Sequence, residues 1–300
     1  MIDVSSDLRF TASGAVSLSK DACRLSGDDV LEAYSRISSL KKQMGADVPL
    51  LMKGHIQPRY DLAETGRTTA SKPNIQNWPV FSGMRECVVP RPGWVFVGAD
   101  YESFELHSWA QVCLSWIGYS ALSKELNANL DPHLSFASRI LDITYEEAEA
   151  RKAAGDKELY LARQTGKVFN YGLPGGMGCL RCIEAARAQY QVVLSEQRFW
   201  QLKELWLAER PEAVEYFRRI SELTEHPGAS IEQMFSGRWR GNVSYCEACN
   251  GMFQSLAADA AKAVGFLVAK QCYVGPGPLL GCVPRIFGHD EFILEAPEDQ

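Results

Sequence analysis

From residue 29 to residue 44, apolar side chains recur every three or four positions (Leu31, Tyr34, Ile37, Leu40, Met44). That is the spacing of one helix face, and Gly45 is expected to end the helix. Residues 55–92 show no such period and are rich in Pro, Gly, Asn, Thr and Arg, which predicts extended or looped chain. The run WVFVGA at 94–99, after Pro92-Gly93, predicts a short buried strand ending at Asp100. Helical periodicity resumes over 103–117, so a strand, an acid and a helix follow one another and put Asp100 at the mouth of a sheet. Residues 145–172 predict two helices, the second stopped by Gly172 and Pro174. Residues 185–223 are amphipathic and helical in pattern, and 246–271 predict a long Ala-rich helix. Val283 to Leu294 reads as two short strands around Gly288-His289-Asp290-Glu291, a hairpin with acids at its turn.

Composition changes this picture little. The chain has 300 residues, 46% hydrophobic and 23% charged, within the range of a globular protein of one or two domains. No uninterrupted apolar run reaches the roughly 18 residues of a membrane helix, and MIDVSSDLRF lacks a basic start before an apolar stretch. The expectation is a cytoplasmic protein without membrane contact. Nine cysteines, an odd number, point to free thiols rather than a disulfide framework. The net charge of −6 disfavours a protein that coats nucleic acid non-specifically, but permits an enzyme with one basic cleft.

Two constellations carry chemistry. Asp100 and Asp290 both interrupt apolar surroundings, and a buried carboxylate is costly unless paired, hydrogen-bonded or metal-bound. Two such acids suit a two-metal phosphoryl-transfer site; each alone equally suits a turn cap at a strand end. Arg163, Lys167 and Tyr171, four residues apart, share one helix face. Arg and Lys so placed can hold a triphosphate, Tyr171 could press against a sugar, and His133 lies upstream as a further phosphate contact. A solvated basic face is the alternative. Cys179-x2-Cys182 and Cys246-x2-Cys249 allow a zinc site, but 63 residues separate the pairs and packing cysteines fit better.

From about residue 50 to residue 295 these segments, in order, resemble the polymerase domain of family A DNA polymerases. Thr65-Gly66-Arg67 with Pro73-Asn74-Ile75-Gln76-Asn77 is similar to the family's T-G-R and P-N-L-Q-N stretch. Asp100-Tyr101-Glu102-Ser103-Phe104-Glu105-Leu106 is similar to D-Y-S-Q-I-E-L, and Arg163, Lys167 and Tyr171 to its nucleotide-binding helix. Asn250-x3-Gln254 resembles its minor-groove pair, and His289-Asp290-Glu291 its H-D-E. The resemblance implies two Mg²⁺ ions on Asp100, Asp290 and the Tyr101 carbonyl. It implies Glu291 as an accessory acid, Lys167 as a proton donor, and Arg163, Lys167, His133 and Tyr171 on the nucleotide. Glu105 would exclude a ribose 2′-OH, and Tyr rather than Phe at 171 is associated with easy acceptance of dideoxynucleotides. Arg67, Asn74, Gln76, Asn77, Asn250, Gln254 and His289 would meet the duplex.

The chain departs from the pattern at Gly175, where the family has a second Tyr, and at Ser103, His107 and Cys246. Arg238 and Arg240 could compensate for weakened duplex contacts. The implied fold is an α/β right hand: an antiparallel palm sheet with helical fingers and a partial thumb. Its parts would be 1–50 (thumb remnant), 51–118 and 236–300 (palm) and 119–235 (fingers). The short ends suggest a fragment or a split polymerase, with a thumb segment or an exonuclease encoded separately, in a bacterial or phage-infected cell. The expected activity is template-directed addition of dNTPs to a primer, in replication or repair. A non-catalytic nucleic-acid-binding fragment and a single-subunit RNA polymerase remain as alternatives.

Overall fold

The computed structural model describes residues 14–78, 83–288 and 290–299. Along the chain lie α1 (Lys20–Ser26), α2 (Asp29–Lys42), α3 (Val48–Leu51), β1 (Arg59–Leu62), β2 (Thr68–Ser71) and β3 (Trp94–Asp100). There follow α4 (Phe104–Ile117), α5 (Ala121–Asn127), α6 (Pro132–Leu141), α7 (Tyr145–Ala153), α8 (Lys157–Gly172), α9 (Cys179–Tyr190), α10 (Glu196–Glu209) and α11 (Glu212–Leu223). The chain closes with β4 (Ile231–Glu232), β5 (Trp239–Arg240), α12 (Tyr245–Tyr273), β6 (Val283–Gly288) and β7 (Glu291–Pro297). The chain forms two compact units: residues 1–55, 131–173 and 177–208, and residues 56–130, 174–176 and 209–300.

In the first unit, Gly45 does not stop the helix that begins at Asp29. A π-helical segment, Gln43–Asp47, carries it into the short α3, where Pro49 has no N–H to give to the helical ladder. The apolar stripe of α2 is there, but Tyr34, Ile37, Leu40 and Met44 are all exposed. The core instead lies among α6, α7 and α8, where Leu134, Ala137, Ala148, Leu159 and Ala162 pack together. Asp131 and Asp156 cap α6 and α8 by accepting their first backbone N–H groups. Beside this core the indole N–H of Trp206 donates to Asn170 Oδ1 at 2.8 Å, and Asn170 Nδ2 lies 3.0 Å from the Pro132 carbonyl and 3.2 Å from His133 Nδ1.

The second unit holds a three-stranded antiparallel sheet in the order β3-β7-β6 and a β1-β2 hairpin within the segment expected to be looped. β3 is not the buried strand its apolar run predicts: Val95 and Val97 are exposed although their β7 partners Ala296 and Leu294 are buried, because β3 is an edge strand of the sheet. The helical stretch 185–223 is broken at Gln191 (φ 57°) and again at Pro211. α4 packs on α12 and α11, with Trp109 edge-on to Tyr216, whose hydroxyl donates to the Cys249 carbonyl at 2.7 Å. The length and mean hydropathy of α12 would let it cross a membrane, which a search for uninterrupted apolar runs misses because polar residues such as Asp259 and Lys262 punctuate it. Here Ala248, Cys249, Met252, Phe253 and Ala257 of that helix are core.

His133 makes the first unit sensitive to acid. Burial pushes its pKa down to about 4, against the smaller pull of Asp131 in the opposite direction. The unfolded imidazole takes a proton below its ordinary pKa of about 6.5. The folded one refuses it until about 4. Stability from this residue is therefore complete above the unfolded pKa and falls as pH drops between the two values. At 1.36 kcal/mol per unit the loss is roughly 3 kcal/mol. Urea unfolding between pH 7 and pH 4.5 should show this decline, and His133→Gln should flatten it; an unchanged slope would contradict the burial argument.

Candidate active site

β3 and β7 run antiparallel with Asp100 opposite Glu291, and the Tyr101 N–H donates to the Asp290 carbonyl at 3.3 Å. The pairing brings the two predicted carboxylates to one end of the sheet. The Asp100 pKa is raised, first by partial burial and then by the negative charge of Asp290, against a backbone hydrogen bond at Tyr101 that favours the ionised form. Among the described residues neither acid is paired with a cation. Two hard oxygen donors of like charge are the arrangement that a divalent cation relieves, so the residues fit Mg²⁺. No cluster of three or more His, Cys, Asp or Glu side chains able to hold a metal occurs among the described residues. Mg²⁺ does not need one, since it is commonly held by one or two carboxylates plus substrate oxygens and water.

Ser103, in the left-handed conformation (φ 50°), turns the chain from β3 into α4 and puts Glu105 in the first helical turn. Arg67 Nη2 donates to Glu105 Oε1, so the expected primer contact and the expected sugar gate are partners. The loop carrying Arg67 is tightly held. Ala63 and Arg67 close a turn over Gly66 (φ 80°), and Arg238 Nη2 donates to the Thr65 carbonyl at 2.9 Å. A Cβ at Gly66 would sit 2.6 Å from that guanidinium. Arg238 is itself paired with Asp259 (3.3 Å), which also holds Lys262 at 2.9 Å, and Arg240 pairs with Glu64 (2.7 Å) and Glu247 (3.4 Å). The two arginines expected to reinforce a duplex grip are thus engaged within the protein.

Other predicted duplex residues are divided in the same way. Asn74 and Asn77 are exposed, and Gln254 is half-buried on α12. The Gln76 amide accepts from the Ala70 N–H at 2.9 Å and donates to the Phe287 carbonyl at 3.3 Å, bridging β2 to β6. Asn250 Nδ2 donates to the Gly175 and Cys246 carbonyls at 2.9 and 3.0 Å. His289 lies outside the described residues.

The first unit carries the basic face. Arg163 grips Asp131 through Nη2 (2.7 Å) and Nε (2.9 Å), and Lys152 adds a longer contact at 3.4 Å. Burial alone would raise the Asp131 pKa; bonding to Arg163 and the helix N-terminus outweighs it and lowers the pKa. Lys167 lies one turn on, its pKa lowered by burial and then by Arg163. Tyr171 is 37% exposed, with its hydroxyl 3.2 Å from His133 Nε2. His133 is buried, and that burial pushes its pKa down to about 4. Sequence reasoning missed Asp131 as the anchor of Arg163, although Asp-Pro before an apolar run is an N-cap signal, and Asn170, whose adjacency to Tyr171 was the available clue. Cys182 and Cys249 are buried packing residues and Cys246 lies against the Gly176 carbonyl at 3.4 Å.

Comparison with known proteins gives a consistent answer. The family described as DNA polymerase family A matches residues 26–300. DNA polymerase I of Chloroflexus aurantiacus is 27% identical over 91% of this chain and 28% of its own length. The thermostable DNA polymerase I of Thermus thermophilus is 26% identical over 91% of this chain and 32% of its own length. This chain therefore spans about a third or less of each. The solved POL domain of Pol1 from M. smegmatis, in complex with DNA primer-template and dNTP, has the same fold with a TM-score of 0.74. It is 20% identical, covering 97% of this chain and 52% of that one. A match across residues 26–300, with the acid pair at one sheet end, identifies the chain as a member of DNA polymerase family A.

Proposed function

We propose that this chain carries the nucleotidyl-transfer site of a DNA-directed DNA polymerase, adding dNTPs to a primer 3′-OH on a DNA template. The observation that supports it most is the juxtaposition of Asp100 with Asp290 across β3 and β7, with Glu105 one turn inside the helix that follows. The 3′-OH attacks the α-phosphate and pyrophosphate leaves. Two Mg²⁺ ions, held by Asp100, Asp290 and the Tyr101 carbonyl, would lower the pKa of the attacking hydroxyl and neutralise charge on the phosphates.

The chain's own residues do the rest. Arg163, set by Asp131, and Lys167 take the triphosphate. A lowered pKa suits Lys167 to give a proton to the departing pyrophosphate. Glu105, tethered by Arg67, occupies the space a ribose 2′-OH would need, which selects dNTPs over rNTPs. Tyr171 contacts the sugar side and Glu291 acts as an accessory acid beside Asp100. Arg67, Asn74, Asn77, Gln254 and His289 meet the duplex, and Gln76 and Asn250 shape the surface under it. In this reading 51–118 and 236–300 form the palm, 119–235 the fingers and 1–50 part of a thumb. It works in DNA replication or repair in the cytoplasm of a bacterial or phage-infected cell.

Asp100→Asn and Asp290→Asn should each lower Mg²⁺-dependent single-nucleotide extension by about a hundredfold or more, the scale of one electrostatic group at a reacting centre. Duplex binding should persist. Because Asp290 repels Asp100, Asp100→Asn should melt no lower than wild type. Extension that survives either change would remove the metal assignment, and binding without any wild-type extension would favour a non-catalytic fragment. Glu105→Ala should raise rNTP relative to dNTP incorporation; a wild-type preference for rNTP would instead indicate an RNA polymerase. Tyr171→Phe should lower dideoxynucleotide relative to dNTP incorporation, and an equal ratio would sink the sugar contact.

A further inference from the structure

Glu105 is fixed at its backbone and held at its far end by Arg67. Phe104 stacks on Tyr101 with ring centroids 4.3 Å apart, and Leu106 is buried. The Leu106 and His107 N–H groups donate to the Ser103 carbonyl at 2.9 and 3.2 Å, which sets the first turn of α4. The half-buried Glu105 carboxylate accepts from Arg67 Nη2, and among the described residues it has no other side-chain partner. The helix dipole favours a negative charge in this turn but does not choose its rotamer. The direction of the side chain therefore comes from Arg67.

Arg67 is in turn well anchored. Its carbonyl accepts from the Ala63 N–H at 2.9 Å, its neighbour Thr68 pairs with Leu62 at the end of the β1–β2 ladder, and Arg238 holds the Thr65 carbonyl. None of these bonds uses the Arg67 guanidinium, so a change in that side chain leaves the turn closed. A gate acts by occupying space. A glutamate that turns freely about its side-chain bonds yields to an incoming hydroxyl, whereas one held by a charge-assisted hydrogen bond resists it.

We propose that Arg67 is a positioning residue that determines ribonucleotide exclusion, its guanidinium holding the Glu105 carboxylate in the path of a ribose 2′-OH. This rests on the gate role of Glu105 above, and it gives Arg67 a part in sugar choice that a primer contact does not supply. An arginine that served the primer alone would, when lost, weaken duplex binding and slow both kinds of nucleotide alike.

Two measurements on the full chain decide between them. With ¹⁵N-labelled arginine, spectra should show slow rotation of the Arg67 guanidinium in the wild type and fast rotation in Glu105→Ala; fast rotation in the wild type overturns the pairing whatever the enzyme does. In single-nucleotide extension, Arg67→Met should raise the rNTP-to-dNTP ratio by about tenfold, the scale of one hydrogen bond to a charged group, toward the level of Glu105→Ala. The ratio compares two nucleotides on one variant, so a general loss of activity or of primer affinity cancels. Adding Arg67→Met to Glu105→Ala should raise it no further. Arg67→Lys, which keeps a cationic donor of similar reach, should hold the ratio below that of Arg67→Met. A ratio raised in Glu105→Ala but unchanged in Arg67→Met, or a further rise in the double variant, overturns the positioning role. A ratio unchanged in Glu105→Ala itself overturns the gate reading and the nucleotide half of the proposal with it; the pairing is settled separately by the spectra.

Discussion

Asp100 and Asp290 repel each other, and the second unit is arranged so that they cannot move apart. β3 and β7 pair continuously from Trp94 opposite Pro297 to Asp100 opposite Glu291, so the position of one acid is tied to that of the other through seven residue pairs. The far end of the ladder is fastened by Glu295, 2% exposed, which takes Arg91 at 2.9 Å and also Arg285. A buried carboxylate with two guanidinium partners is satisfied where a lone one would be costly. Partial burial, and then the Asp290 charge, raise the pKa of Asp100, and a divalent cation would turn that repulsion into attraction.

The irregular chain around this sheet end needs fastening of a different kind. Residues 63–78 contain few ladder bonds, so their backbone groups must find side-chain partners. Arg238 meets the Thr65 and Glu64 carbonyls, and Gln76 meets the Ala70 N–H and the Phe287 carbonyl. Arg238 depends in turn on Asp259, whose carboxylate is buried enough to raise its pKa but is bonded to Lys262 and Ser236, which lowers it overall. Several residues that a motif marks as ligand contacts thus act first as braces. A guanidinium offers five donors in a rigid fork, so Arg67 can hold Glu105 and still present N–H groups elsewhere.

How much of this was legible in the sequence follows from which interactions are local. Helices α4, α8 and α12 were readable because a 3.6-residue period records a buried face directly. The β6–β7 hairpin was readable from two apolar runs around Gly288. The apolar run of β3 predicts a buried strand, but as the edge of the sheet β3 leaves Val95 and Val97 in water while their β7 partners Ala296 and Leu294 are buried. Gly45 was read as a stop, yet a π-helical turn absorbs it. The division into units was not legible, because 1–55 joins 131–173 and 177–208 through contacts distant in sequence, such as those of α1 with α9. In the site, spacing gave Arg163, Lys167 and Tyr171, whereas Asp131 and the Trp206–Asn170–His133 chain depend on tertiary packing that no period records.

The departures from the family pattern at Gly175 and Cys246 were separate oddities in the sequence, but in the fold they are coupled. The Gly175 carbonyl takes the Asn250 amide at 2.9 Å, and a Cβ at 175 would lie 2.4 Å from Asn250 Oδ1. Real Cβ atoms do not approach that closely, so a tyrosine there would drive Asn250 out of its bond. Next to it, Cys246 Sγ sits 3.4 Å from the Gly176 carbonyl, and a Cβ at 176 would meet Cys249 Sγ and the Tyr245 ring at 3.2 Å. Close packing of the 174–176 turn on the first turns of α12 therefore needs small residues on the turn and compact ones on the helix. Restoring the family residue at 175 would cost the bond that Asn250 now makes, so positions 175 and 250 constrain one another.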